Sequence, residues 1–506
     1  MARPDRSPAA GDQAEFDQLQ SRLSALFERI VPDRTASRTI VVVPSLSIDQ
    51  DVASNISGFH HYEERMLGML MLLRLPRARV IYLSSQPISD TIIDYYLHLL
   101  QGVPTSHARE RLVMLPCHDG SLRPLTEKVL MRPRLLARLR TAIGDTSNAY
   151  IAAFAVSPAE RMLALRLGIP IYGCDPALSH LGSKSGGRKL MREAGILLPD
   201  GMEDLRDEDD VVAALTELRG HDPRLRRAVV KLNEGVSGEG NASFDFSGAP
   251  GSNLAHWVRA QLPHLAFEAG TMTWEDFVAK IRQMGAVVEA FVEGQEKRSP
   301  SAQFRIDPFG HVEPVSTHDQ VLEGQVYRGC SFPADEAYRL DIQEQGARVG
   351  ALLARAGALG RFAVDFVSIR DNDRWRHYGI ELNLRKGGTT HPFLMLELLT
   401  GGAYDAVSGR FRTRTGQDRY YYASDNLESP HYKGLTPGDL VDLSVLNGLH
   451  YDGAVHEGVV FHLIGALSEF GKLGVVCVGD TAARADALYR RTVEILDREQ
   501  MTAGPT

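Results

Sequence analysis

The chain has 506 residues, of which 43% are apolar and 24% charged, and its formal net charge at pH 7 is −8. Its length predicts about two to four domains, and its composition is that of an ordinary soluble globular protein. The acidic balance argues against a nucleic-acid-binding protein, for which a basic excess is typical. The first residues show no apolar signal segment and no run of about 18 apolar residues predicts a membrane span, so we expect a cytoplasmic location.

The first 180 residues predict an α/β domain. Residues 1–13 predict a disordered lead, and apolar residues at helical spacing from Leu19 to Ile30 predict a first helix. Short apolar runs then alternate with helical patterns, which is typical of a parallel sheet covered by helices on both faces. We therefore expect this sheet within residues 35–180. Its predicted strands are Thr39–Val43, Val80–Leu83, Leu112–Leu115, Tyr150–Phe154 and Pro170–Tyr172.

The remaining residues mix helices and strands, which favours an α+β arrangement. Residues 401–418 are rich in loop-forming residues, and regular patterns return after them. The four cysteines are scattered and form no C-x-x-C pair, so we interpret them as buried apolar residues rather than as zinc or disulfide partners. The clearest predicted elements are the helix Lys184–Ala194, the strands Ala228–Leu232 and Val287–Val292, the helix Ile342–Ala356, the strand Gly474–Val478 and the helix Ala482–Leu496.

Two predicted strands carry a set of oxygen ligands. Asp365 lies near the end of one strand, and Glu381 and Asn383 are two residues apart on the next, so their side chains share one face. The polar segment Arg370–Arg374 between the strands predicts a hairpin that would bring the three together. Two carboxylates and one amide oxygen are ligands that Mg²⁺ prefers. The alternative, acidic residues on a solvated sheet face, has equal weight on this pattern alone.

A lysine followed by a glycine-rich loop marks a second candidate site. Lys231 ends an apolar strand, and three glycines occur within the next nine residues. Glycines allow backbone N–H groups to turn toward a phosphate, and a lysine adds a point charge for the same group. A plain hairpin loop is the alternative, because glycine and serine favour turns too. The candidate residues of this segment are Lys231, Glu234, Gly235, Ser237, Gly238 and Gly240.

Two further segments suggest contacts with a nucleotide. Lys184 and Arg188 are four residues apart at a predicted helix start, where cations oppose the helix dipole unless an anion is bound there. Two solvated cations are the alternative. Farther along, an apolar strand from Glu289 to Val292 enters a turn before Glu296, and an extended hinge of this kind can offer backbone groups to an adenine edge.

The order of these elements resembles the ATP-grasp superfamily, which includes the D-alanine–D-alanine ligases. The segments Gly182-Ser-Lys-Ser-Gly, Val230-Lys-Leu-Asn-Glu-Gly-Val-Ser-Gly-Glu-Gly, Ser316-Thr-His-Asp-Gln and Glu381-Leu-Asn-Leu-Arg-Lys-Gly-Gly also resemble the peptide ligases related to the one in pheganomycin biosynthesis. The resemblance covers about residues 38–500. It implies an N-terminal parallel α/β domain followed by two α+β lobes that enclose ATP.

The resemblance also implies a division of the chain and a set of roles. Residues 1–34 would be a lead and helix, 35–180 the α/β domain before the ATP-grasp core, 181–292 the lobe with the glycine-rich loop, 293–400 the lobe with the metal site, and 401–506 an extension on the core. ATP and Mg²⁺ would be the cofactors. The implied roles are Lys184, Lys231 and the loop Glu234–Gly240 for phosphates, Glu289, Phe291 and Val292 for adenine, Glu296 for ribose, and Asp365, Glu381 and Asn383 for Mg²⁺.

The implied activity is an ATP-dependent carboxylate–amine ligation through an acyl phosphate. Arg385 and Lys386 would be catalytic, at the point where the substrate carboxylate meets the γ-phosphate, and Arg305, His318 and Arg328 are weaker candidates for the substrate pocket. The implied partners are small carboxylate and amine substrates, amino acids or peptides, with a homo-oligomer left open. The segment His60–Arg65 is a further candidate for the pocket, although a helix start with solvated charges is favoured. The alternatives to the activity are an ATP-grasp kinase, a carboxylate–thiol ligase and a non-catalytic nucleotide-binding protein.

Overall fold

The computed structural model of the chain describes residues 10–46, 56–235, 240–270 and 272–502. Three sheets of four, five and nine strands organise these residues, and a two-stranded ribbon accompanies them. Within the described ranges, no helix has both the length and the apolar character needed to cross a membrane.

The first sheet is parallel and has the strand order β3-β2-β1-β4. Every residue of its central strand β1 is buried, as expected for a sheet with helices on both faces. The predicted parallel sheet is confirmed, but the predicted strand Pro170–Tyr172 is reduced to one bridge between Ile151 and Ile171. The strands are β1 (Arg38–Val43), β2 (Ala78–Ser84), β3 (Leu112–Pro116) and β4 (Ala149–Ala153).

Helices cover both faces of this sheet, so alternate residues of β1 pack into two different hydrophobic cores. Ile40 and Val42 lie in one hydrophobic cluster, and Val41 and Val43 lie in the other. The predicted disordered lead is wrong for residues 10–13, which begin the first helix, and its residues 1–9 lie outside the described ranges. The helices of this part are Ala10–Gln20, Arg22–Ile30, the 3₁₀ helix Phe59–Arg74, Asp90–His98, Thr105–Glu110, Leu125–Leu130, Pro133–Ile143 and Pro158–Leu167.

The second sheet is antiparallel and has the order β5-β9-β6-β7-β8. Val230 of β6 packs into a hydrophobic core shared with the surrounding helices. Its neighbours Val229 and Lys231 face a cavity on the other side of the sheet. The strands are β5 (Gly201–Leu205), β6 (Arg227–Leu232), β7 (Asn241–Asp245), β8 (Ala266–Phe267) and β9 (Ala286–Ala290). The helices around it are Lys184–Glu193, Glu208–His221, Leu254–Gln261 and Trp274–Met284.

The third sheet contains the predicted hairpin of oxygen ligands. Its strands follow the order β10-β14-β11-β12-β13-β18-β20-β19, and β15 pairs with β14. The long helix Arg339–Arg355 covers it, above the stacked rings of Phe304 and Phe362, whose centroids are 5.0 Å apart. The strands before residue 400 are β10 (Glu296–Arg298), β11 (Pro300–Ile306), β12 (Val312–Glu323), β13 (Val326–Phe332), β14 (Gly360–Asp371) and β15 (Arg374–Asn383).

The C-terminal residues extend this same sheet. Strand β18 hydrogen-bonds to β13, and the helix Ala482–Thr502 packs on β18 and β20. The predicted extension therefore shares its backbone hydrogen bonds with the lobe before it, while the predicted domain boundaries stay predictions. The elements are β16 (Ala403–Asp405), β17 (Arg410–Arg412), β18 (Tyr420–Glu428), β19 (Gly458–His462) and β20 (Lys472–Gly479), with the helices Thr390–Thr400, Pro437–Leu446 and Leu467–Phe470.

Candidate active site

A central cavity of about 770 Å³ is lined by residues of all three large sheets or of the loops after their strands. Such a volume suits a ligand of the size of a nucleotide. Val229 contributes from the second sheet, Asp365 and Glu381 from the third, and Phe291 and Phe154 from the residues directly after β9 and β4. The cavity is therefore the place where the three parts of the chain meet.

The three predicted metal ligands meet at this cavity. Asp365 lies opposite Glu381 in the β14–β15 register, and Asn383 lies opposite Ala363, two positions away. The Asn383 amide nitrogen donates a hydrogen bond to Asp365 Oδ2 at 3.0 Å, and Gln320 donates one to Asp365 Oδ1 at 3.2 Å. The predicted hairpin thus brings Asp365, Glu381 and Asn383 together. Among the described residues, no group of three or more His, Cys, Asp or Glu side chains has a metal-binding arrangement.

The two carboxylates of this cluster differ in charge balance. Burial and the neighbouring Glu381 raise the pKa of Asp365 to about 6. Burial also opposes ionisation of Glu381, but Lys184, whose Nζ lies 2.5 Å from Glu381 Oε1, outweighs it and lowers the pKa of Glu381. The Lys184 ammonium therefore neutralises Glu381, whereas Asp365 forms no direct ion pair among the described residues.

Lys184 reaches the cavity because its helix starts there. The Ser183 hydroxyl caps the helix by accepting a hydrogen bond from the Gly186 N–H at 3.0 Å. The Lys184 N–H donates to the carbonyl of Asn233 at 3.1 Å, and the Ser185 hydroxyl donates to the Asn233 side chain at 2.8 Å. These contacts tie the helix start to the end of β6, two residues after Lys231.

Lys231 is held by a buried ion-pair network rather than standing free. Its ammonium pairs with Glu289 of the adjacent strand β9, and Arg188 NH1 binds the other Glu289 oxygen at 2.6 Å. Glu289 and Arg188 are each 2% exposed. The prediction that Glu289 contacts adenine is therefore not supported, because both of its oxygens already bind cations. Arg188, interpreted as a cation for an anionic ligand, is instead turned to Glu289, Glu203 and the Pro199 carbonyl.

The glycine-rich loop is described only at its base. The carbonyl of Gly240 accepts a hydrogen bond from Leu232 at 2.9 Å, and Gly235 and Gly240 approach so closely that a Cβ on Gly240 would lie 3.0 Å from the Gly235 Cα. Glu234 is exposed. The predicted phosphate contacts of Ser237 and Gly238 lie outside the described residues.

The predicted adenine hinge lines the cavity at Phe291 and Val292. Two cations contact the Phe291 ring, with the Arg227 guanidinium carbon 4.0 Å and Lys297 Nζ 4.1 Å from its centroid. Lys297 also donates to the Val292 carbonyl at 3.1 Å. Glu296, predicted for ribose, does not line the cavity, because it pairs at 3.3 Å with Arg298 and with Arg370.

Of the two predicted catalytic cations, only Arg385 lines the cavity. Burial lowers the pKa of Arg385, while Glu381 and Asp365 act in the opposite direction, so its guanidinium lies within electrostatic reach of both carboxylates. The Lys386 ammonium instead donates to the Ala153 carbonyl at the end of β4, and burial lowers its pKa to about 7. The structure thus places the Lys386 side chain outside the site, where it anchors its loop to the first sheet.

The three weaker substrate candidates also lie outside the cavity. Arg305 pairs with Glu313 on the neighbouring strand, and Arg328 donates to Glu323 at 2.7 Å. His318 is fully buried, 2.5 Å from the Tyr421 hydroxyl, and burial lowers its pKa to about 3. These side chains belong to the sheet and its core, not to the central cavity.

One ion pair of the cavity joins a residue of the candidate segment His60–Arg65 to a residue that no motif predicted. Arg65 and Asp425, 360 positions apart, form an ion pair at the end of the cavity near the first sheet. The favoured interpretation of His60–Arg65 as a solvated helix start is wrong, because Glu63 and Glu64 are buried and Arg65 lines the cavity. The sequence does not predict a functional role for Asp425, since it lies in a strand among residues without a recognisable motif.

Comparisons with known proteins agree with this geometry. The family model "IQCH-like, ATP-grasp" matches residues 176–263 and 249–407, and "PGM1 C-terminal domain" matches residues 439–492. The L-propargylglycine–L-glutamate ligase of Streptantibioticus cattleyicolor is 31% identical over 468 residues, which cover 90% of this chain and 94% of that protein. The IQ motif-containing protein H of Danio rerio is 23% identical over 548 residues, which cover 98% of this chain and 52% of that protein.

A solved structure shares the fold at low sequence identity. The β-γ-ATP complex of biotin carboxylase from Campylobacter jejuni is 13% identical and has a TM-score of 0.54, and the match covers 90% of each chain. Together with the match to the Streptantibioticus cattleyicolor ligase along nearly the whole chain, these findings confirm the resemblance. The chain belongs to the ATP-grasp carboxylate–amine ligases and is an ATP-dependent enzyme that forms C–N bonds.

Proposed function

We propose that this enzyme joins the carboxylate of one amino acid or peptide to the amine of another, with ATP converted to ADP and phosphate. The similar Streptantibioticus cattleyicolor protein is named for two amino acids that it joins. That name supports amino acids as the substrate class here. Which two amino acids react is a separate question that a substrate screen answers.

The observation that carries the proposal is the charge arrangement within one cavity. Lys184, Lys231 and Arg385 line it together with the carboxylates Asp365 and Glu381. Three cations next to a pair of oxygen ligands are what a polyphosphate and a second anion need when they are brought together. A purely structural ion-pair network would not need to surround a cavity of nucleotide size.

The residues present fit a divalent cation. Asp365 and Glu381 face each other, and the raised pKa of Asp365 reflects burial and a negative neighbour that a cation would compensate. With the Asn383 amide they make a set of hard oxygen donors, which suits Mg²⁺. We therefore assign these three residues to Mg²⁺, which would neutralise phosphate charge when bound.

The nucleotide would lie along the cavity from the hinge to the carboxylates. Phe291 and Val292 would contact adenine, since both line the cavity together with the apolar residues Val229 and Phe366. Lys231 and Lys184 would bind the phosphates. Glu289, which also pairs with Arg188, holds the Lys231 ammonium in place and so reduces the side-chain entropy that phosphate binding would otherwise cost.

Two steps account for the reaction. An oxygen of the substrate carboxylate attacks the γ-phosphorus of ATP, the bond from the γ-phosphorus to the bridging oxygen breaks, and ADP leaves with that electron pair. The amine nitrogen then attacks the acyl phosphate carbon, the carbon–oxygen bond to phosphate breaks, and the nitrogen loses a proton. Arg385 would stabilise the carboxylate and the acyl phosphate, because its guanidinium matches the geometry of both anions.

An acyl phosphate trap tests this proposal. The enzyme is incubated with ATP, Mg²⁺ and a pool of amino acids and short peptides, with and without hydroxylamine. We expect ADP with a product whose mass is the sum of two substrates less one water, and a hydroxamate when hydroxylamine is present. ADP with a phosphorylated substrate would indicate a kinase, a thioester formed with added thiols would indicate a thiol ligase, and no ADP in any mixture would overturn the enzymatic assignment.

A further inference from the structure

The end of the cavity next to the first sheet has the geometry of a ligand site. In the order β3-β2-β1-β4, the chain leaves β1 toward β2 on one side, while β4 flanks β1 on the other. Ligands of open parallel sheets bind in the crevice at the carboxyl ends of the two strands where the order reverses. Leu46 follows β1, Phe154 and Ala155 follow β4, and all three line the central cavity.

A complementary charge pair stands at this end. The Arg65 guanidinium binds Asp425 through NH2, and the side chains are 16% and 10% exposed. The Arg65 Nε is buried and has no hydrogen-bond partner among the described residues. The Tyr62 ring lies 4.0 Å from the guanidinium carbon and fixes its plane. A guanidinium has five N–H donors, and the one side-chain hydrogen bond that Arg65 makes among the described residues is from NH2 to Asp425.

We propose that Arg65 and Asp425 bind the amino acid that supplies the amine, with Arg65 on its α-carboxylate and Asp425 on its α-ammonium. An amino acid presents one negative and one positive group separated by a single carbon. These charges are complementary to those of an adjacent arginine and aspartate. The site would therefore accept an amino acid with a free carboxylate. This inference rests on the proposed function.

The position of the pair favours the amine substrate over the acid substrate. The acid must reach the γ-phosphate, where Arg385 and the Asp365–Glu381 carboxylates lie. Arg65 and Arg385 line the same cavity, Arg385 beside these carboxylates and Arg65 beside Asp425. An amino acid held at Arg65 would thus present its nitrogen from the side of Arg385 that faces the first sheet. The apolar side chains of Leu46, Phe154 and Tyr327 are available there for its own side chain.

A comparison of acceptors tests the proposal on the unaltered enzyme. Each amino acid that serves as the amine is offered beside its α-carboxamide, at equal concentration and with the same acid substrate. We expect the free amino acid to be used at least about 100-fold faster, because a buried charged site rejects an analogue that leaves it unpaired. Equal use of the two would overturn the proposal.

Substitutions separate this inference from the proposed function. Hydroxylamine replaces the amine without needing a carboxylate, so the ratio of amide to hydroxamate reports on acceptor binding alone. Arg65→Met and, as a milder change, Arg65→Lys are expected to lower this ratio at least about 10-fold and to raise KM for the amino acid more than KM for ATP. Arg328→Met removes an arginine–glutamate pair outside the cavity and serves as the control, with no change in the ratio.

The possible outcomes are distinct. An enzyme that forms no hydroxamate with any acid would contradict the proposed function itself. An enzyme that forms hydroxamate, but whose ratio of amide to hydroxamate is the same in Arg65→Lys, Arg65→Met and the unaltered chain, would overturn only the role of Arg65. Equal losses of amide and hydroxamate in both Arg65 variants would also overturn it, since Arg65 would then serve the acid or the fold.

Discussion

Asp365 and Glu381 lie directly opposite each other on strands β14 and β15, and within the described part of the chain only Glu381 forms an ion pair, with the Lys184 ammonium. The two carboxylates lie side by side at the cavity wall, with the Lys184 ammonium against Glu381 and the Arg385 guanidinium within electrostatic reach of both. A protein that used these residues only for stability would gain little from placing them together, because like charges repel. The arrangement is instead what a bound divalent cation would stabilise.

Loss of one carboxylate from this pair should remove activity without unfolding the protein. Glu381→Gln keeps the shape of the side chain but removes the charge that we assign to Mg²⁺ and that now pairs with Lys184. We expect ADP formation to fall by about 100-fold or more, since electrostatic stabilisation of the transferred phosphoryl group is lost. Glu313→Gln, which removes an ion pair with Arg305 outside the cavity, is the control. Turnover within about twofold of the unaltered enzyme would contradict the metal assignment.

The buried network around Glu289 should determine the stability of the lobe built on the second sheet. Glu289→Gln leaves the Lys231 and Arg188 cations buried without their shared partner. Breaking a buried pair in this way costs about 3–5 kcal/mol. We expect a loss of this size in the free energy of unfolding, followed by urea unfolding with tryptophan fluorescence, because Trp257 and Trp274 pack in that lobe. Glu293→Gln, at an exposed pair with Arg227, should change the transition little.

The neighbours Arg385 and Lys386 should behave differently when each is replaced. Arg385→Met removes a cation that lines the cavity, so we expect kcat to fall by about 100-fold or more. Lys386→Met removes a hydrogen bond to the Ala153 carbonyl, which contributes about 1 kcal/mol to stability. We therefore expect its main effect in thermal unfolding. A larger loss of kcat in Lys386→Met than in Arg385→Met would reverse the roles assigned to them.

The hairpin of oxygen ligands was predictable from the sequence because it is local. Asp365, Glu381 and Asn383 lie on consecutive strands, and a period of two fixes which side chains share a face. Lys184 and Lys231 were likewise predictable as candidates, since each stands at the end of one element. What the sequence could not show is which charges are already paired. Glu289 and Glu296 are both acidic residues near the hinge, yet each forms an ion pair with a cation on another helix or strand.

The Arg65–Asp425 pair shows the other limit of a single sequence. Its two members come from the first part of the chain and from the last strands of the third sheet. The pairing of β18 with β13 in the third sheet brings Asp425 to Arg65, and no spacing rule connects residues so far apart. Their burial also contradicts the pattern of neighbouring charges at His60–Arg65, which is typical of an exposed helix start. Long-range packing determined the result at this point, not local preference.

Acid should destabilise the protein through its buried histidines. Burial lowers the pKa of His318 to about 3, whereas an unfolded histidine titrates near about 6.5. Between these values the unfolded chain binds a proton that the folded chain does not. The contribution of His318 to stability is therefore complete above about pH 6.5 and falls by up to about 1.4 kcal/mol per pH unit below it.

The variant His318→Gln isolates this effect, because glutamine does not titrate and can still bind the Tyr421 hydroxyl. We expect the unfolding free energy of the variant to depend less steeply on pH between about 6 and 4 than that of the unaltered protein. Urea unfolding at several pH values in this window measures both slopes. Parallel curves for the two proteins would show that His318 does not titrate as its burial implies.

The transfer of oxygen from substrate to phosphate tests the central claim most directly. The acid substrate is labelled with ¹⁸O in its carboxylate, the ligation is run with unlabelled ATP and water, and the released phosphate is analysed by mass spectrometry. An acyl phosphate requires that one carboxylate oxygen leaves with the phosphate, so we predict one ¹⁸O in the phosphate for each amide bond formed. Amide formation with unlabelled phosphate would contradict the mechanism.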